Sequence, residues 1–174
     1  MEHLTLESAE PGDTSTAPRR IALISCSASK LDHPAPARSL YTSTLFRKSV
    51  AYAERHCDSW MILSGKHGLL HPDTIIEPYD ERLTAEPKRL DGRTGPSPWG
   101  HNVARALQET FDIGKPRTVT FVVLAGGIYE RNIRAITPQG QAEFPLTGMQ
   151  IGQRLQWLTQ QATLPSNAVH SDVA

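Results

Sequence analysis

TVTFVVLAGGIYERNI, residues 118–133, carries the pattern on which the fold assignment turns. After Thr118 and Thr120 it runs through β-branched, aromatic and aliphatic side chains from Phe121 to Leu124 with no polar residue between them. That is the profile of a strand covered on both faces, as in a parallel sheet. Ala125, Gly126 and Gly127 then break the run, and residues 128–136 follow with helical character. Strand, tight glycine turn and helix together make half of a βαβ unit.

Two further segments repeat the motif upstream. Residues 20–26 (RIALISC) and 59–64 (SWMILS) are short apolar runs that end in small polar residues. Helical spacing falls between and after them. Residues 41–56 place Leu45, Val50 and Tyr52 on one side, with Thr42 or Ser43 as N-cap. Residues 98–111 follow Ser97 as cap and carry Pro98 in the first turn. Residues 150–161 are expected to turn Ile151, Leu155 and Leu158 to one face. Strands alternating with helices predict an α/β fold: a single three-layer domain over residues 19–163, with a mainly parallel sheet flanked by helices in the Rossmann-like manner. Residues 1–18 and 164–174 are polar, aperiodic and rich in small residues, and are expected to be a disordered leader and tail.

Composition narrows the function. The chain has 174 residues, a formal net charge of zero and two cysteines, Cys26 and Cys57. Zero net charge argues against a protein that coats nucleic acid through a global basic field. Two cysteines make no disulfide framework, and no apolar run approaches the ~20 residues of a membrane helix. The expectation is a cytoplasmic protein with no membrane contact. His56 beside Cys57, and His67 near His71, lack the carboxylate spacing of a metal site, so neither a metal nor another cofactor is expected.

In open α/β sheets, ligands bind outside the carboxyl ends of the strands, and here all three ends are chemically loaded. The first gives Ser25, Cys26, Ser27 and Lys30; the second gives Ser64, Gly65, Lys66 and His67; the third gives Gly126, Gly127 and Tyr129. Lys66 suits an anionic group, and His67 exchanges protons near neutral pH. Glu77 and Asp80, brought round by Pro72 and Pro78, offer carboxylates as nucleophile or base, with Tyr79 between them. Each of these is equally readable as a solvated loop residue, with Glu77 and Asp80 paired to Arg82 or Lys88. Cys26 is either a nucleophile or a small buried hydrophobe. Arg38 suits phosphate and Tyr41 a stacked base, and both also fit plain structural roles.

The blocks ALISCSASKLDHPAPARSLYTSTLFRKSVAYAE (22–54), WMILSGKHGLLHPDTIIEPYDERL (60–83) and VVLAGGIY (122–129) resemble a bacterial and phage domain family of unknown function of the DUF6884 type. More distantly, LSGKHGLLHPDTIIEPYDERL is similar to a block of the YaaA peroxide-stress family, which carries Leu-Tyr where this chain has Lys66 and His67. The resemblance implies links with DNA binding and oxidative damage, and with deazaguanine base modification. Residues and resemblance together lead to the expectation of a small enzyme acting on a nucleoside, nucleotide or modified nucleobase, by cleavage or exchange of an N-glycosidic bond. Lys66, His67, Glu77 and Asp80 would be its catalytic groups. The alternative is a non-catalytic, nucleic-acid-binding stress protein using Arg19, Arg20, Lys30, Arg38, Arg47 and Lys48.

Overall fold

The computed structural model describes residues 17–90, 93–111 and 118–164. The expected leader and tail therefore lie outside the described residues, apart from Ala17, Pro18 and Leu164 at their inner ends. In chain order the elements are β1 (Arg19–Ser25), β2 (Ala35–Pro36), α1 (Ala37–Leu40), α2 (Thr44–His56) and β3 (Ser59–Ser64). Then come β4 (Gly68–Leu70), β5 (Ile75–Ile76), β6 (Lys88–Leu90), β7 (Arg93–Gly95) and α3 (Pro98–Phe111). The last are β8 (Val119–Leu124), α4 (Gly127–Ile136), β9 (Ala142–Glu143) and α5 (Ile151–Thr163).

The main sheet has five strands in the order β4-β3-β1-β8-β9. β1 lies between β3 and β8 and is parallel to both, with Ser25 opposite Leu63 and Ile24 opposite Leu124. β9 is also parallel to β8, whereas β4 folds back antiparallel on β3. The mainly parallel, helix-flanked architecture read from the sequence is the one observed. β2 pairs with β5, and β6 with β7, as two small antiparallel ribbons outside the sheet.

Period-two alternation sorts each central strand onto two cores. Ala22, Ile24, Ile62, Val122 and Leu124 face α1, α2 and α5, together with Leu40, Phe46, Tyr52, Ala53 and Leu158. Ile21, Leu23, Met61, Leu63, Phe121 and Val123 face α3 and α4, with Trp99, Val103, Leu107 and Ile133. Both faces of each strand are dry, which is why the runs read as continuously apolar.

Helix ends follow their capping chemistry. Ser43 Oγ accepts from the Phe46 amide at 3.2 Å and starts α2. Ser97 Oγ accepts from the Gly100 amide at 3.0 Å and starts α3. One helix face departs from expectation: Leu158 is buried, but Ile151 is 60% exposed. Ile151 sits at the very start of α5, before the helix reaches its packing surface against α2.

Topology fixes where a ligand can enter. From β1 the chain turns through α1 and α2 on one face and reaches β3. From β8 it turns through α4 on the other face and reaches β9 on the opposite side. The outgoing segments part between the carboxyl ends of β1 and β8, the switch point at which a doubly wound sheet forms its ligand crevice.

Candidate functional site

Ser64, Cys26 and Ala125 stand at one sheet edge, as the parallel register requires; the Cys26 amide continues the ladder by donating to Leu63 O at 2.9 Å. The crevice is bridged by Cys26 Sγ, 3.2 Å from the Tyr129 hydroxyl in the first turn of α4. On the other side of β1 the Tyr79 hydroxyl lies 2.7 Å from both the Tyr41 hydroxyl and Ser64 Oγ. Ser64 Oγ also accepts from the His67 amide at 3.0 Å. A thiol, three phenols and a serine hydroxyl thus share the strand edge.

Burial pushes the Tyr41, Tyr79 and Tyr129 phenols above the usual tyrosine range. All three keep their protons across the physiological range. Cations rim them. Lys30 Nζ lies 4.4 Å from the centre of the Tyr79 ring, and Lys66 Nζ 5.7 Å from it. The His67 ring meets Tyr79 edge-on at 5.3 Å. Stacking by Tyr41, one of the roles considered for it, is not available. Its ring is buried, and it meets the site only through its hydroxyl.

His67 titrates low because desolvation, and then the neighbouring Lys66 charge, disfavour its protonated form. It is therefore a neutral imidazole at pH 7, able to accept a proton. The folded state resists protonation, so this group's contribution is present above the unfolded value of 6.5 and is lost as pH falls below it. His67→Gln should flatten the fall of melting temperature with decreasing pH in that window, as read by thermal melts across a pH series. An unchanged slope would mean that His67 does not titrate low.

A strap of chain, residues 77–87, closes the edge. Tyr79 anchors it to Ser64, and Lys66 pairs with Glu81 at 3.2 Å. Asn132 Nδ2 donates to Ala85 O at 2.9 Å, and Arg131 forms a forked ion pair with Glu86. Gly65 permits the close approach: a Cβ there would lie 2.6 Å from the Leu83 nitrogen. Space against the strap, more than freedom of its own backbone, is what requires glycine at this position.

The candidate residues do not all converge. Cys26, Ser64, Gly65, Lys66, His67, Tyr41, Tyr79, Tyr129 and Lys30 are assembled as described. Ser25 ends β1, and Ser27 Oγ turns back to donate to Ser29 O at 2.9 Å, which shapes the loop. Glu77 and Asp80 are exposed and make no hydrogen bond or ion pair among the described residues. Glu81 is instead the carboxylate tied to the cluster. Arg38 is taken up by Asp73 at 2.7 Å and by the Trp60 ring. Gly127 adopts a positive φ of 53° at the turn into α4, open to space.

Sequence reasoning missed two contributors. Trp99 donates its indole N–H to Ser64 O at 2.9 Å and meets the Tyr129 ring at 5.7 Å. Arg154, from α5, lays its guanidinium on Gly126, where any Cβ would overlap it. A tryptophan at the second position of a helix that follows a strand edge was a usable signal. Arg154 had none, because its reach depends on how α5 docks.

Among the described residues no group of three metal-ligating side chains is gathered, and no helix is long and apolar enough to cross a membrane. Fold and site define a Rossmann-like α/β protein with a phenol- and thiol-lined crevice at its switch point. The chain belongs to the family of unknown function DUF6884, whose model matches residues 21–160. It is also similar to a UPF0246 protein of Phenylobacterium zucineum (strain HLK1), a member of the YaaA family, at 36% identity over 92 residues. That alignment covers 53% of this chain and 33% of the relative, so the chain spans about a third of that protein's length. The resemblance drawn from the sequence blocks is borne out at family level. No solved structure matches the chain.

Proposed function

We propose that the protein is a small cytoplasmic enzyme that acts on a nucleoside, nucleotide or modified nucleobase at the crevice between β1 and β8, breaking or exchanging its N-glycosidic bond. The observation that carries this reading is the constellation Cys26–Tyr129 and Tyr41–Tyr79–Ser64, donors held at contact distances of 3.2 and 2.7 Å where a doubly wound sheet binds its ligands. Protonated phenols suit the ring nitrogens and carbonyls of a heterocycle, and neutral His67 supplies the base. In the hydrolytic form, the C1′–N bond breaks and its electron pair stays on the base nitrogen, steadied by hydrogen bonds from the protonated phenols. Water attacks C1′ and loses a proton to His67, and a proton carried through solvent neutralises the departing base. Glu81, held by Lys66, is the clustered carboxylate for the positive charge developing on the sugar, in place of Glu77 and Asp80.

The test is a mass-spectrometric screen of nucleosides, nucleotides and modified bases incubated with the full chain. Released free base supports the reading, and an unchanged panel opposes it. Lys66→Ala and His67→Ala should each keep the melting temperature close to wild type, as exposed loop changes usually cost within about 0.5 kcal/mol. Turnover or affinity should fall at least about tenfold, the equivalent of roughly 1.4 kcal/mol. Full activity in both variants would remove this loop from the site.

The nucleic-acid-binding alternative gains little from the geometry. Of its basic residues, Arg20 is held bidentately by Glu143 and Lys48 donates to Thr159 Oγ1 at 2.7 Å. Steeply salt-dependent DNA affinity with no change in any small molecule would favour it over the enzyme.

A further inference from the structure

Arg154 differs from the other well-placed arginines of the chain. Arg20, Arg38, Arg131 and Arg134 each hold a carboxylate, from Glu143, Asp73, Glu86 and Glu130 respectively. Arg154 holds none among the described residues. Its Nε donates to Met149 O at 2.8 Å, which fixes the plane of the group, and neither Nη atom has a hydrogen-bond partner among the described residues. The side chain is only partly exposed, so water does not fully solvate the charge.

Its seat is prepared for it. Gly126 has φ −140°, ordinary extended backbone that any residue adopts, so the turn itself does not require glycine. A Cβ there would overlap the Arg154 guanidinium. The bare position admits the cation to the carboxyl end of β8, one step beyond Ala125 and across the crevice from Cys26. Lys30, on the other side of β1, also lacks a carboxylate partner among the described residues and contacts Ala28 O and the Tyr79 ring. Arg154 and Lys30 are thus two cations at the strand edge with no carboxylate partner among the described residues. A fixed planar fork with free N–H groups matches the bidentate geometry of phosphate.

We propose that Arg154 is the anion anchor of the crevice and that the substrate carries a phosphate there, which makes it a nucleotide rather than a nucleoside or free base. This assignment of substrate class rests on the nucleobase reading of the same crevice. Lys30 adds to the field around the phosphate, and Gly126 is the residue that keeps the anchor in place.

Two variants remove the anchor by different routes: Arg154→Met deletes the charge, and Gly126→Ala keeps it but displaces the flexible end of the side chain. Arg105→Met, on the exposed side of α3, is the control. The full chains are melted with and without inorganic phosphate at constant ionic strength, then titrated calorimetrically with nucleosides and their 5′-monophosphates. Wild type should gain melting temperature from phosphate and should prefer a monophosphate over its nucleoside by at least about tenfold. Both effects should vanish in Arg154→Met and Gly126→Ala and persist in Arg105→Met. A monophosphate preference that survives in Arg154→Met, or a wild type that shows neither effect, overturns the anchor; so does stabilisation by acetate but not by phosphate. Phosphate stabilisation that is lost in both variants, while no nucleoside portion adds affinity, upholds the anchor and sinks the nucleobase reading instead.

Discussion

Asn132→Ala should lower stability by about 3–5 kcal/mol, the range for breaking a buried polar network at several points. Asn132 is fully buried on α4 and ties together three separate segments. Its Oδ1 accepts from Ser97 Oγ at 2.5 Å, and its Nδ2 donates to Ala85 O and Ile128 O at 2.9 Å each. Alanine leaves Ala85 O facing a void and frees Ser97, which also caps α3. For a domain of this size the loss corresponds to a drop of roughly 10 °C in Tm. Hydrogen exchange should at the same time quicken across residues 77–87, because Ala85 is where α4 grips the strap. Ser97→Ala should cost about 1 kcal/mol for the lost N-cap and about 1–3 kcal/mol more for the buried Asn132 Oδ1 it leaves without a donor. If Asn132→Ala melts within a degree or two of wild type, the strap is held by its ion pairs and not by this amide.

Tyr79→Phe should reduce turnover of any nucleoside or nucleotide substrate at least about a hundredfold, the lower end for removing a fixed hydrogen-bond donor to developing charge. One hydroxyl is deleted, but two partners lose their contact, since Tyr41 and Ser64 both meet Tyr79 at 2.7 Å. The Tyr41 phenol, on a fully buried side chain, is left with Ser64 alone to satisfy it. Stability should therefore fall as well, by about 1–3 kcal/mol for an unsatisfied buried group. Measuring kcat and Tm on one preparation separates the two effects. Turnover within threefold of wild type, with the expected loss of Tm, would leave the phenol chain as scaffolding only.

How far the sequence discloses this molecule depends on how local the cause of each feature is. β1, β3 and β8 were readable because both their faces are buried, and Ser43 and Ser97 declared the starts of α2 and α3 through capping chemistry. β4 was not readable. Gly68–Leu70 is three residues long, and its pairing with β3 comes from a turn at Gly68 with φ 69°, not from any pattern of its own. The convergence of three strand ends followed from parallel topology alone. The choice among residues within the edge did not. Tyr41 fitted either a stacking or a structural role until the fold buried its ring, and it is Glu81, not Glu77, that pairs with Lys66 because packing at Gly65 and Asn132 sets the path of the strap. Arg154 was silent for the same reason.

The two ends of the main sheet bear on how copies of this chain behave toward one another. An open sheet terminates in unpaired N–H and C=O groups that can recruit a strand from a second molecule. Here the terminal strands are three and two residues long, and the shorter one carries Glu143 locked to Arg20. Such stubs present too few groups in a row to template a neighbour. A protein with zero net charge has no long-range repulsion to keep its copies separated, so that task falls to geometry. Brevity at the rims of the sheet takes the place of charge as the guard against edge-to-edge association.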